Sequence, residues 1–104
     1  MKKNIETILA ELSSILRKNL GNNIKIFLYG SYARNDQSPD SDIDILVIVD
    51  SLTKEQRNNI LDIAWEIGFK YGFVISIVPI SDVNYKLMSS SPFMKNVRKE
   101  GVVL

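Results

Sequence analysis

The segment Ile43–Val49 reads Ile-Asp-Ile-Leu-Val-Ile-Val and constrains the fold more than any other. Its residues favour extended backbone, and after Asp44 it is apolar on both faces. Such a strand must be covered on both sides. The longest apolar run in it, Ile45–Val49, is far short of a membrane span. A strand packed between two layers, in a chain of 104 residues, predicts one domain over residues 1–104.

The flanking sequence supplies the layers. Residues 4–20 carry Ile5, Ile8, Leu9, Leu12, Ile15, Leu16 and Leu20 at helical spacing, with Gly21 and Asn22 as the stop. Ile24–Tyr29 reads as a strand, Gly30–Ala33 as a turn opening a short helix, and Asn35–Ser41 as a polar loop. Thr53 and Gln56 form a capping box for a helix reaching Tyr71, which Gly72 ends. On that helix Ile60, Ile63, Ala64 and Ile67 share one face, and Trp65 and Tyr71 are expected to pack. Phe73–Ile80 reads as a third strand. Ser81–Met88 reads as a short helix capped by Ser81 or Asp82. Ser91-Pro92 starts a last helix that ends at Gly101, with Arg98 and Lys99 suited to its final turn. Val102–Leu104 is a short apolar tail. The order α-β-α-β-α-β-α predicts an α/β (α+β) fold with a small mixed sheet, three-stranded or slightly larger, flanked by helices.

Composition narrows the chemistry. There is no histidine and no cysteine, which removes His- and thiolate-based catalysis, disulfides and soft-metal sites. Any metal must be a hard cation held by oxygen. Lys plus Arg is 13 against 12 acidic residues, so no strong nucleic-acid footprint is expected. Lys2 and Lys3 look like the start of a signal peptide, but Glu6 and Glu11 break the apolar positions that follow. A cytoplasmic protein without membrane attachment is expected.

One stretch carries chemistry: Tyr29-Gly30-Ser31-Tyr32-Ala33-Arg34, then Asp42-Ile43-Asp44, with spacing G-S-x10-D-x-D. On a strand, residues i and i+2 share a face, about 6–7 Å apart. Two carboxylates that close repel unless a cation lies between them, and Mg²⁺ suits one or two carboxylates plus phosphates. Gly30 permits a close backbone approach, and Ser31 at a helix start offers N–H groups to an anion. Arg34, one turn on, could add charge there. Together these make a triphosphate site. The same residues also read as a plain turn followed by a good loop sequence, Ser38-Pro39-Asp40-Ser41-Asp42.

On Gly30, Ser31, Ala33, Arg34, Ser41, Asp42, Ile43 and Asp44 the sequence resembles the minimal nucleotidyltransferases of the polymerase-β-like superfamily. The ending Ser91-Pro92-Phe93, Asn96-Val97-Arg98 and Glu100-Gly101-Val102 is similar to the tail of one branch. The resemblance implies that Asp42 and Asp44 are the catalytic metal ligands, for Mg²⁺ or Mn²⁺. It implies nucleotide contacts from Gly30 and Ser31, with Arg34 and Ser41 in the same set. Two departures stand out. The superfamily's third carboxylate should fall at Val74 or Ser76, neither of which is acidic, with Asp82 a weaker substitute. Asn35 stands where glycine often follows the arginine.

The resemblance implies transfer of a nucleoside monophosphate, AMP from ATP, to an acceptor hydroxyl. So short a chain is expected to receive its acceptor from another protein. Stand-alone members resemble the antitoxin half of two-gene modules whose other half is a small helical HEPN-type ribonuclease. With two carboxylates the alternatives remain a transferase, a weak or inactive antitoxin that neutralises its partner by complex formation, and a nucleotide sensor.

Overall fold

The computed structural model describes residues 5–104, and Lys2, Lys3 and Asn4 lie outside the described residues. The elements are α1 (Ile5–Leu20), β1 (Lys25–Tyr29), α2 (Ser31–Arg34), β2 (Ile43–Val49), α3 (Lys54–Tyr71), β3 (Ile75–Ser81), α4 (Asp82–Leu87), α5 (Pro92–Glu100) and β4 (Val102–Val103). The strands form a four-stranded sheet in the order β3-β2-β1-β4. β1 runs antiparallel to β2 and β4, while β2 and β3, joined by the α3 crossover, are parallel.

β2 is central and covered on both faces, as its sequence requires. Ile43, Ile45, Val47 and Val49 point into a core shared with Ile8, Leu12 and Leu16 of α1 and Ile60, Ile63 and Ile67 of α3. Leu46 and Ile48 point the other way, onto Met94 and Val97 of α5. Asp44 belongs by alternation to this second face.

The helix boundaries follow from their caps. Thr53 Oγ1 accepts from Gln56 N at 3.0 Å, and Gln56 Oε1 accepts from Thr53 N at 3.1 Å. Gly72 closes α3 in the left-handed conformation at φ 76°. Phe73 N then donates back to Gly68 O at 2.9 Å, which delays β3 to Ile75 rather than Phe73. Ser81 caps α4 and Ser91 caps α5.

Two expectations are corrected. The apolar tail is an edge strand: Val102 and Val103 pair with Leu28 and Phe27, and Leu104 N donates to Ile26 O at 2.9 Å. Trp65 does not pack inside; it is 67% exposed and stacks on Phe69. Tyr71 does pack, its hydroxyl donating to Glu11 across the α1–α3 seam.

Candidate active site

Three strand ends meet at one end of the sheet. β1 finishes at Tyr29, β2 starts at Ile43 and β3 starts at Ile75. The registers pair Tyr29 with Asp44 and Asp44 with Ser76, so these three side chains stand in a row on one face.

Gly30 makes the turn out of β1. Its backbone sits at φ 77°, ψ −155°, a region open essentially to glycine alone. A Cβ built on it would lie 2.2 Å from Asp44 Oδ2. The turn is therefore folded directly against the carboxylate, and no larger residue fits while Asp44 stays in place. Gly30 O then accepts from Ala33 N and Arg34 N, both at 3.1 Å, which starts α2. The N–H groups of Ser31 and Tyr32 precede these first helical donors and are the orphan amides of the helix start. Asn35 closes α2 at φ 63°. That is the left-handed region where glycine is at home and asparagine is tolerated, so the substitution keeps the turn.

The loop to β2 is self-bound. Ser38 N donates to Ser41 Oγ at 2.9 Å and Ser41 N to Ser38 O at 3.1 Å. Ser41, expected among the nucleotide contacts, thus has its side chain engaged in shaping this loop. Asp42 is exposed and immediately precedes β2; Asp44 is half-buried. Ile43 N between them donates to Val74 O at 2.9 Å, which anchors the acidic pair to the β3 end.

The electrostatics reflect this crowding. Burial lifts the Asp44 carboxyl above its ordinary range, the charge of Asp42 lifts it further, and Arg34 draws it partly back. The Tyr29 phenol is raised by burial and by the Asp44 charge. An Asp44 carboxyl raised by burial and by its acidic neighbour, in a donor set made only of oxygen, fits a hard divalent cation. Arg34 is committed elsewhere at its tip: Nε to Asp36 at 3.1 Å and Nη1 to Glu100 at 2.9 Å. It ties α2 to the end of α5 while its charge still reaches Asp44.

Of the two positions expected to carry a third acid, Ser76 is in register with Asp44, and Val74 is largely exposed beside it. Among the described residues no cluster of three acidic side chains forms. Asp82 is no substitute. It follows the far end of β3, roughly 20 Å from Ser76 at the rise of a strand, and it pairs with Lys86 at 3.0 Å. The sequence pattern assigns Tyr29 and Glu100 no role. Only the strand register reveals the first, and only the packing of α5 reveals the second.

A mixed sheet whose strand ends set a glycine turn against an acidic pair gives the chain a candidate site for an anion beside a cation. The nucleotidyltransferase domain family matches residues 9–103, and the chain belongs to that family. A Methanocaldococcus jannaschii protein with the provisional name protein adenylyltransferase is 34% identical over 102 residues, covering 97% of this chain and 98% of its own. A second protein from that organism, similarly named, is 32% identical over 93 residues, covering 88% and 86%. Among solved structures, a toxin–antitoxin with AMP-PNP superposes at TM-score 0.60 and 24% identity, over 89% of this chain and 69% of that one. A nucleotidyltransferase, so named provisionally, from Sulfolobus solfataricus superposes at TM-score 0.55 and 15% identity, over 93% and 76%. At these identities the superpositions establish the fold. Among the described residues no helix is long and apolar enough to cross a membrane.

Proposed function

We propose that residues 1–104 form a single minimal nucleotidyltransferase domain that acts in the cytoplasm. It takes ATP with Mg²⁺ or Mn²⁺ and passes AMP to a hydroxyl of a partner protein, releasing pyrophosphate. The observation that supports the reading is the contact of the Gly30 turn with Asp44, which brings the amides at the start of α2 beside a carboxylate. Ser31 and Tyr32 N–H bind the phosphates, with Gly30 leaving the approach open. Asp42 and Asp44 hold the cation, which when bound neutralises phosphate charge as the α-phosphorus is attacked. Arg34 and Ser41 steady the site, one by bridging to Glu100 and the other by shaping the loop.

A protein acceptor is supported by the provisional names of the relatives, and an antitoxin role by the toxin–antitoxin names of the structural neighbours. A small helical HEPN-type ribonuclease fits as the partner. Calorimetry tests the site: Asp42→Asn with Asp44→Asn should abolish Mg²⁺-dependent ATP binding while the fold survives. Unchanged affinity would refute it. Mass spectrometry of the chain co-expressed with a candidate partner, incubated with ATP and Mg²⁺, then tests transfer.

Ser76 beside Asp44 favours a second reading, a nucleotide-binding antitoxin that neutralises its partner by complex formation alone. Ser76→Asp decides between them. A rise in AMP transfer supports a site short of one acid; a brisk wild-type enzyme that gains nothing from the change argues against it.

A further inference from the structure

The outer flank of α3 carries an apolar stripe that the core does not use. Leu61, Trp65 and Phe69 recur every four residues and are 41%, 67% and 77% exposed. The two rings stack at 5.2 Å with 7° between planes. With Val74 and the start of β3 they line an open groove of about 580 Å³. The groove lies along the free edge of the sheet, because β3 is its outermost strand on that side.

We propose that this face is the interface of a two-fold homodimer. Three observations select a second copy of the chain. First, the stripe is self-complementary. Arg57 begins it one turn before Leu61. Two antiparallel α3 helices, with the axis between Leu61 and Trp65, set Leu61 against the other copy's Trp65. The same axis sets Arg57 over the other copy's Phe69, close to its Glu66, a cation–π contact and an opposite-charge contact repeated on each side.

Second, the strand edge can pair with itself about the same axis. Val74 O accepts from Ile43 N, so alternation turns the peptide groups of Ile75, Ile77 and Pro79 outward. Pro79 has no N–H and blunts the later half of the edge. The open half, Ile75–Ile77, is the part that lies along the groove. Ile77 against Ile77 across the axis forms reciprocal main-chain hydrogen bonds.

Third, the area suffices. Aromatic side chains offer about 150–250 Å² each, so at these exposures Trp65 and Phe69 present roughly 300 Å² per copy. Leu61 and Val74 bring two copies to on the order of 1,000 Å², the lower bound for a specific interface. Asp44 faces the α5 side of the sheet, opposite to α3, and the pairing does not depend on the proposed transfer reaction.

Trp65 is the chain's one tryptophan and reports directly on the interface. Sedimentation velocity on the full chain should give a dimer at micromolar concentration. Trp65 emission should move to the red on dilution to nanomolar. Trp65→Glu and Phe69→Glu, both at exposed positions, should keep the circular-dichroism spectrum and raise the dimer dissociation constant by roughly 30-fold or more, the loss typical of a central aromatic. Leu87→Glu, at an equally exposed apolar position on α4, should change nothing. A chain that is monomeric throughout overturns the proposal, and so does a dimer that survives both aromatic substitutions or dissociates equally with Leu87→Glu.

Discussion

Replacing Gly30 by alanine should damage the fold and the site together, and the two costs can be separated. The backbone cost comes from φ 77°, ψ −155°, where a residue with a side chain is strained by about 1–3 kcal/mol. The contact cost comes from the new Cβ, placed 2.2 Å from Asp44 Oδ2. Asp44 is the end of a short side chain and can swing away, at about 0.5–1.5 kcal/mol for leaving its rotamer well. The sum is about 1.5–4.5 kcal/mol, a large share of a domain's roughly 5–15 kcal/mol. For a chain of this size that lowers the Tm by roughly 6–35 °C.

A double-mutant cycle with Asp44→Ala isolates the second cost. In the Asp44→Ala background the alanine at position 30 has no carboxylate to displace, so only the backbone cost should remain. The coupling energy should be about 0.5–1.5 kcal/mol, measured by thermal or urea unfolding. Calorimetry on Gly30→Ala alone should show Mg²⁺-dependent ATP binding weakened, because Asp44 has moved. A Tm within about 4 °C of wild type, or a coupling indistinguishable from zero, would refute the claim that the turn is glycine because of the carboxylate.

Three further outcomes follow from single contacts. Asp44 holds its proton more tightly in the folded chain than in the unfolded one, so its contribution to stability is full below the ordinary carboxylate range and is lost as pH rises through its raised pKa. In chelator, Asp44→Asn should therefore be more stable than wild type at neutral pH, and thermal scans should show the advantage shrinking on acidification; an advantage that grows in acid contradicts this. Gly68→Ala would place a Cβ 2.5 Å from Phe73 O, a backbone atom with little room to yield. Overpacking of about 1–3 kcal/mol should outweigh the helix-propensity gain of about 1 kcal/mol, so Tm should fall rather than rise. Thr53→Ala removes the capping box of α3 and should cost about 1 kcal/mol, or roughly 4–8 °C in Tm.

Elements with their own local signals are legible in the sequence alone. The capping box at Thr53 and Gln56, the stop at Gly72 and the two-faced strand Ile43–Val49 each hold their information within a few residues. The candidate site could be picked out for the same reason, because Gly30, Ser31, Asp42 and Asp44 are neighbours in two short strings, and the fold sets the two strings against each other at Gly30 and Asp44. What depends on distant chain is not. β4 has two residues, too few to show alternation, and exists because Gly101 brings the chain back beside β1. Trp65 follows Ala64 in an apolar-rich helix, and nothing in the helix says whether another layer covers that flank. Arg34 looks available for phosphate in the sequence because Glu100, its partner, is 66 residues away.

The position of the acidic pair explains how a small core tolerates it. Asp44 stands on the central strand, one step from Leu46, which is fully buried. Two residues deeper, a carboxylate would have to be paired or neutralised. At the first turn of the strand it is only half-buried, and Asp42 just before it stays in water. Burial and the second carboxylate both raise the energy of the ionised form, and the distant Arg34 offsets part of that. A cation between the two would relieve both terms at once. The Gly30 turn is pressed against Asp44, so under the proposed reading a phosphate at the Ser31 amides would share that cation. Ser76 matters in this balance. A third carboxylate in its place would add repulsion to an Asp44 already raised, tolerable only with more bound positive charge. A hydroxyl there adds no such repulsion to the metal-free pair, which is compatible with the nucleotide-binding reading proposed above.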